Sequence, residues 1–479
     1  MKNLALLTDY YQLTMMNGYL KNNIHNENVV FDMFFRKNPC DNGYTIIAGI
    51  EQMIEYIENL RFTEDDLEYV KGLGFDNLFI DELRNFKFSG TIYGVKEGSI
   101  MFPGEPIIRV KSTCFEAQLV ETAILNIINF QSLIATKASR ICNAAKGDSV
   151  FEFGLRRAQA PDAGIYGARA AVIGGCSSSS NVLAGKMFNI PVVGTQAHSW
   201  IQTFDTELES FRAYARTYPD KCMLLVDTYD AIQSGIPNAI TVFKELRESG
   251  YEPIGIRIDS GDLAYLSKQA RKMLDKAGFQ KAIIVASSDL DEDTIDDLKI
   301  QGAAINGWGV GTNLITSKNC PALGGVYKLA AIEKNNTLIP KIKISENPEK
   351  ITNPGYKKVV RIYDKYSGKA LADLIMLEDE VIEKNKPLTI FHPVYTWKKK
   401  VVNNYEVREM LIPIFVDGDK IYESQSVKEI QTYVNKELST LWPEYLRLNK
   451  PQVYKVDLSQ KLWTLKQQMV NQYKESGEF

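Results

Sequence analysis

The sequence predicts an α/β protein built on parallel strands, and three observations point there. From about residue 150, short apolar and β-branched runs recur at intervals of roughly 20–30 residues. Segments with helical periodicity separate them, and each run ends in a polar or glycine-rich cluster. The runs are VFEFG (150–154), AVIGGCSSS (171–179), PVVGTQAHS (191–199), MLLVDTYD (223–230), IGIRIDSGD (254–262), AIIVASSD (282–289) and INGWGVGT (305–312). Between them, DLAYLSKQARKMLDKAGF (262–279) has apolar residues at helical spacing and a glycine where the helix must stop. Strand, helix, strand in this rhythm is the pattern of βαβ units. Seven of them favour a closed or nearly closed barrel, while spacing alone leaves a doubly wound sheet open.

The flanks read differently. GTIYGVKEGSIMFPGEPIIRVKST (90–113) alternates and carries Gly-Ser and Pro-Gly turn signals, which predicts antiparallel strands. CFEAQLVETAILNIINFQSLIATKASRICNAA (114–145) is a long helical region with an apolar stripe, suited to leading the chain into a barrel. Beyond about residue 334, KKVVRIYDKYSGKALADLIML (357–377) reads as a hairpin around Ser-Gly, and the last 50 residues are mostly helical. Three regions are therefore expected: an α+β domain over 1–136, a barrel over 137–335, and a C-terminal extension over 336–479 that packs on the first.

At 479 residues the chain is too long for one compact core. Its 45% hydrophobic and 24% charged content is ordinary for a soluble protein, and a net charge of −3 offers no basic field for nucleic acid or an anionic membrane. No apolar run approaches the roughly 18 residues of a membrane span, and MKNLALLTDYYQLT lacks the apolar core and cleavage site of a signal peptide. The six cysteines fall in no zinc-knuckle or CxxC spacing. A cytoplasmic location without nucleic-acid or membrane partners is the expectation.

The polar clusters carry the chemistry. Arg156 and Arg157, the serines at 177–180, His198, Asp227, Arg257 and Asp259, residues 287–289, and residues 309–312 all follow their strands. In a parallel barrel they would share the carboxyl-end face, where barrel active sites lie. Arg257 and Asp259 are two apart and so point to the same side. They read either as a structural ion pair or as a sugar-phosphate site, with Asp taking hydroxyls and Arg taking phosphate oxygens. Gly309 and Gly311 in GWGVGTN leave bare N–H groups at a strand end, a ready anion site. The stretch lacks the Lys-Ser/Thr ending of a Walker loop and is not GxGxxG; GGCSSSS is likewise not a GxSxG elbow. His198, one of only three histidines, closes what reads as a buried strand, and no Cys or Ser pairs with it as a nucleophile.

Taken in order, LLTDYYQLTM, FEFGLRRAQ, GTQAHSW, RIDSGDL, GVGTNLITS and ALGGVYKLA resemble the nicotinate phosphoribosyltransferase family from residue 6 to about 332. The resemblance implies an irregular, incomplete parallel α/β barrel, TIM-like, with an α+β N-terminal domain. It implies transfer of phosphoribose from phosphoribosyl pyrophosphate (PRPP) to nicotinate, coupled to ATP through phosphorylated His198. Arg257 and Asp259 would be the other catalytic residues. Tyr11 from a second subunit, Phe153, Arg156 and Ser178 would hold the pyridine. Asp227, Ser260, Gly261, Gly309, Gly311 and Thr312 would hold phosphoribosyl and phosphate groups. Magnesium would arrive on the substrates, with no protein metal site, and the enzyme would be a homodimer with shared active sites. The closely similar nicotinamide enzymes carry an Asp at the position that the resemblance aligns with Ser178. Nicotinamide or quinolinate phosphoribosyltransfer, or a non-catalytic nucleotide-binding barrel, are the rival readings.

Overall fold

The computed structural model describes residues 3–347, 350–383 and 386–476. The chain divides into two compact units. One comprises Met1–Leu133, Ala322–Gln425 and Thr432–Phe479; the other comprises Ile134–Pro321 and Ser426–Gln431.

The second unit holds an all-parallel six-stranded sheet, an incomplete barrel. Its spatial order is Ser178–Ser179, Ser149–Glu152, Gly307–Val310, Ile283–Ser288, Gly255–Ile258 and Met223–Leu225. Alternation sorts the side chains: Ile256 and Ile258 are buried in the core, while Arg257 takes the opposite face with Asp259. Helix caps then fix how far each loop runs. Asp262 accepts the Tyr265 N–H, Asp291 that of Thr294, and Asp230 those of Ile232 and Gln233. Only residues 259–261 therefore separate the Gly255–Ile258 strand from the cap of Leu263–Lys276.

Two of the seven expected strands differ. In 171–179 the helix Pro161–Ile173 takes the first three residues, and only Ser178–Ser179 is strand. The run 191–199 is not a buried strand. Val192 and Val193, between Pro191 and Gly194, are 46% and 37% exposed and make a single parallel bridge to Ser179. His198 begins the helix His198–Gln202 instead of ending a strand.

This irregular segment spans the open side of the ring. The Ser179 N–H donates to Pro191 O at 3.1 Å, and the Val193 N–H to Ser179 O at 3.0 Å. Gln196, buried, serves the other edge with its side chain: its amide nitrogen donates to Met223 O at 2.9 Å and its oxygen accepts the Leu225 N–H at 3.2 Å. A side-chain amide here substitutes for the backbone of a missing strand.

The first unit combines both ends of the chain. Its seven-stranded sheet runs Thr337–Pro340, Gly325–Lys334, Asn28–Phe35, Ile108–Thr113, Thr91–Val95, Leu411–Val416 and Asp419–Lys420, with every pair antiparallel. Gly325–Lys334 pairs with Asn28–Phe35, so the stretch from 322 to 335 belongs here and not to the barrel span expected at 137–335. The hairpin read at 357–377 forms from Lys357–Asp364 and Ala370–Leu377. At its centre Arg361, fully buried, donates to both oxygens of Asp373 and to Ile100 O.

Candidate active site

The carboxyl ends of the parallel strands gather one connected set of polar side chains. Arg257 is its hub. Its Nε donates to Ser287 Oγ at 2.8 Å, Nη1 to Thr195 Oγ1 at 2.9 Å, and Nη2 to Asp259 Oδ1 at 3.1 Å. Ser287 also donates to Asp259 Oδ1. Asp259 is further fixed through its backbone, whose N–H donates to Asp227 Oδ2 at 2.8 Å; the Ser260 hydroxyl donates to the same oxygen at 2.6 Å. Gly261, at φ +81°, turns the chain to the Asp262 cap in a conformation that favours glycine.

His198 joins from the irregular segment. Its Nδ1 lies 3.0 Å from Thr228 Oγ1, and its Nε2 lies 3.8 Å from Asp259 Oδ2. Burial by itself raises the Asp259 carboxyl, but the Ser287 hydroxyl, the Arg257 guanidinium and the neighbouring His198 outweigh it, holding the group below its ordinary value. Asp259 is thus an ionised carboxylate with fixed orientation. Asp227 Oδ1 is buried and has no hydrogen-bond partner.

Beside this cluster lies an aromatic wall. Phe153 and Phe151 stack with ring centroids 6.0 Å apart and planes 19° from parallel. The glycines read as an anion site have a steric task here: a Cβ on Gly309 would stand 2.7 Å from the Phe153 ring. Any larger residue would push the ring off the strand. Gly311 and Thr312 lead into a helix of only four residues, Thr312–Ile315. Arg156 sits in the short turn Leu155–Arg157, exposed. Ser178 is 2% exposed, and its Oγ has no partner. Tyr11 belongs to the other unit, on the first turn of helix Tyr10–Lys21, 49% exposed.

Of the residues singled out in the sequence, Asp227, Arg257, Asp259, Ser260 and His198 come together in one network. Thr195, Thr228 and Ser287 complete it and were not assigned roles beforehand. Ser287 carried the strand-end signal, and Thr228 directly follows Asp227. Thr195 carried only its place in the GTQAHSW motif, and the irregular path of 191–197 brings it to Arg257.

Comparison with known proteins places the chain in a family. A family-wide profile for nicotinate phosphoribosyltransferase matches residues 149–375, and profiles for the N-terminal and C-terminal domains of the same enzymes match 6–129 and 356–466. The nicotinate phosphoribosyltransferase of Bacillus subtilis is 50% identical over 473 residues, covering 98% of this chain and 96% of that protein. The chain belongs to the nicotinate phosphoribosyltransferase family. The human member is 31% identical over 518 residues, covering 96% of this chain and 95% of its own length. A crystal structure of human nicotinic acid phosphoribosyltransferase superposes with a TM-score of 0.84 at 28% identity, covering 97% of this chain and 99% of that one. A nicotinate-nucleotide pyrophosphorylase from Pyrococcus furiosus shares the fold at a TM-score of 0.67 and 23% identity.

Proposed function

We propose that this chain transfers the phosphoribosyl group of PRPP to nicotinate, releasing pyrophosphate and forming nicotinate mononucleotide, the first step of NAD salvage from nicotinic acid. The observation that carries the reading is the Arg257–Asp259–Ser287 cluster, with Asp227 and His198 joined to it. The pyridine nitrogen already has a free lone pair, so its bond to C1′ forms without a general base. As the C1′–O bond to pyrophosphate breaks, positive charge grows on the ribose. Asp259, held ionised by Ser287 and Arg257, stabilises that charge and takes ribose hydroxyls. Arg257 supplies positive potential toward the departing phosphates.

Nicotinate is favoured by three features of the pocket. Phe153 offers a ring to stack on, Arg156 an exposed guanidinium, and Ser178 a buried hydroxyl with no protein partner, free to donate to a carboxylate. In this reading Tyr11 of a second copy covers the other face of the pyridine, which makes the active form a homodimer. ATP acts as co-substrate: its terminal phosphoryl group passes to His198, and water then removes it, giving ADP and phosphate. Ser260, Gly261, Gly311 and Thr312 contribute hydroxyl and backbone N–H groups to phosphoryl oxygens.

Among the described residues no group of three or more His, Cys, Asp or Glu side chains could hold a metal ion. The unpartnered Asp227 Oδ1, beside Asp259, suits a cation that brings most of its ligands on the substrate. Magnesium bound there would neutralise pyrophosphate oxygens. Among the described residues no helix is long and apolar enough to cross a membrane.

The test is pyrophosphate release from PRPP with nicotinate, nicotinamide and quinolinate supplied separately, with and without ATP. Turnover with nicotinate, raised by ATP, supports the proposal. Preference for nicotinamide or quinolinate would replace the substrate, and binding without turnover would make the barrel a sensor.

A further inference from the structure

The strand Ser178–Ser179 contributes only two residues to the sheet, pairing Ser178 with Phe151 and Ser179 with Glu152. Two backbone hydrogen bonds flank that pairing, from Ser177 N–H to Val150 O at 2.8 Å and from Ser180 N–H to Glu152 O at 2.9 Å, and a side chain adds a further tie. On its far face lies a carboxylate without a cation. Glu152 is fully buried; one oxygen accepts the Ser179 hydroxyl and the other accepts the Gly154 N–H. The Ser179 oxygen in turn accepts the Asn181 N–H at 2.9 Å, and the Asn181 amide donates to Gly164 O at 3.0 Å. Burial pushes the Glu152 carboxyl above its ordinary value, and those two hydrogen bonds only partly offset it.

Both groups that Glu152 holds adjoin the pyridine pocket. Gly154 lies between Phe153 and the turn Leu155–Arg157 that carries Arg156. Ser179 follows Ser178. Side chains alternate across a strand, so Glu152 and Ser179 lie behind the wall whose front face presents Phe151, Phe153 and Ser178. Gly154 is confined from a second side as well, since a Cβ there would meet Ile315 at 2.4 Å. A buried acidic group costs stability unless its hydrogen bonds are complete. Here both of its oxygens are occupied: one fixes the Gly154 turn that follows its own strand, and the other ties that strand to Ser178–Ser179.

We infer that Glu152 is a positioning residue for nicotinate. By clamping Gly154 and Ser179 from behind the barrel wall, it sets the spacing of Phe153, Arg156 and Ser178 that the pyridine carboxylate reads. The inference rests on the nicotinate reading of the pocket. The clamp requires an acceptor for the Gly154 N–H and a partner for Ser179, but no charge. Glutamine meets both needs, with its oxygen toward Gly154 and its amide N–H toward the Ser179 oxygen. Alanine meets neither.

Steady-state kinetics with nicotinate and PRPP varied in turn separate this role from a general structural one. Glu152→Ala is expected to raise the nicotinate KM by about tenfold or more while the PRPP KM stays within about twofold, since two buried hydrogen bonds and not the phosphoribosyl site are lost. Glu152→Gln should return the nicotinate KM to within about threefold of the unaltered enzyme, and Ser179→Ala should fall between the two. An unchanged nicotinate KM in Glu152→Ala and Ser179→Ala overturns the inference. So do parallel rises in both KM values accompanied by a lowered melting temperature. Should Glu152→Ala fail to fold, Ser179→Ala decides: a selective rise in nicotinate KM supports the clamp and no rise overturns it. Failure of the unaltered enzyme to use nicotinate would instead overturn the reaction assigned above.

Discussion

Replacing Arg257 by lysine keeps the charge and removes the geometry. Three different nitrogens of Arg257 serve three acceptors on separate elements: Ser287 on one neighbouring strand, Thr195 on the irregular segment, and Asp259 two residues ahead. A lysine ammonium has three donors but only one position, so it can keep about one of these contacts. Hydrogen bonds to charged groups contribute about 1.5–3 kcal/mol each. The Asp259 side chain is 31% exposed and that of Arg257 18%, so solvent screening argues for the lower end. Two lost contacts then amount to about 3 kcal/mol, or roughly 100-fold in kcat/KM for PRPP. The loss should fall mainly on kcat, because a misoriented Asp259 matters most once charge develops on the ribose. Initial rates of pyrophosphate release, with PRPP and nicotinate varied separately, measure this. The pH profile gives a second reading. Arg257 helps to hold the Asp259 carboxyl down, so Arg257→Met should move the acid limb of kcat/KM to higher pH. A kcat/KM within about threefold of the unaltered enzyme, or an unmoved acid limb, refutes the assignment of Arg257 as the hub.

His198→Asn should retain slow phosphoribosyl transfer but lose its stimulation by ATP, along with acid-labile phosphate on the protein; surviving stimulation counts against phosphorylation there. Ser178→Asp should weaken nicotinate use and improve nicotinamide use relative to it, read as the ratio of kcat/KM values, because a carboxylate replaces the buried hydroxyl. Lys137→Met removes one of two cations from the buried Glu292, which Lys137 meets at 2.6 Å and Arg140 at 3.0 Å. This should cost about 3 kcal/mol in denaturant unfolding. Despite its burial, the Glu292 carboxyl is held below its ordinary value by those cations, so the pair's stabilisation should vanish as the pH falls through that lowered value. Lys466 is pushed down to about 8 by burial and by Lys357, so stability should rise with pH between about 8 and 10.5 and lose that slope in Lys466→Met.

The sequence made the barrel and half of the site legible for identifiable reasons. Arg257 and Asp259 are two apart on one strand, and that spacing alone puts them on one face. Strand-end placement found Asp227 and, within a cluster, Ser287, while Ser260 was named only through the family resemblance. Contacts made across the sheet left no such trace. Nothing in a Thr-Gln pair after Gly194 announces that Thr195 reaches Arg257, or that the Gln196 side chain pairs with the strand Met223–Leu225. Glu152 reads as a polar residue between two phenylalanines, and its burial appears only once Ser179 and Gly154 are seen to satisfy it. The recurrence of short β-branched runs that located the strands misassigned 191–199, because two valines between a proline and a glycine are too few to sustain a strand.

The places where regular pairing stops are also where the side chains assigned to the chemistry cluster. Backbone ladders hold the four middle strands of the sheet. At its open side the pairing is short and mixed: Ser178–Ser179 keeps backbone bonds from Ser177 N–H to Val150 O and from Ser180 N–H to Glu152 O and adds the Ser179–Glu152 side-chain bond, while the segment 191–197 is held by one bridge and by the amide of Gln196. Ser178 and Thr195 lie on these two pieces, and His198 directly follows the second. A complete strand there would fill the opening with paired backbone and direct its side chains by strict alternation, which cannot bring both Thr195 to Arg257 and His198 to Asp259. The side-chain substitutes leave the segment irregular, and that irregularity turns the imidazole of His198 toward the carboxylate it meets at 3.8 Å. On this view the incompleteness of the barrel is a condition of the site, and the Gln196 amide occupies the edge of Met223–Leu225 that a further strand would otherwise pair with.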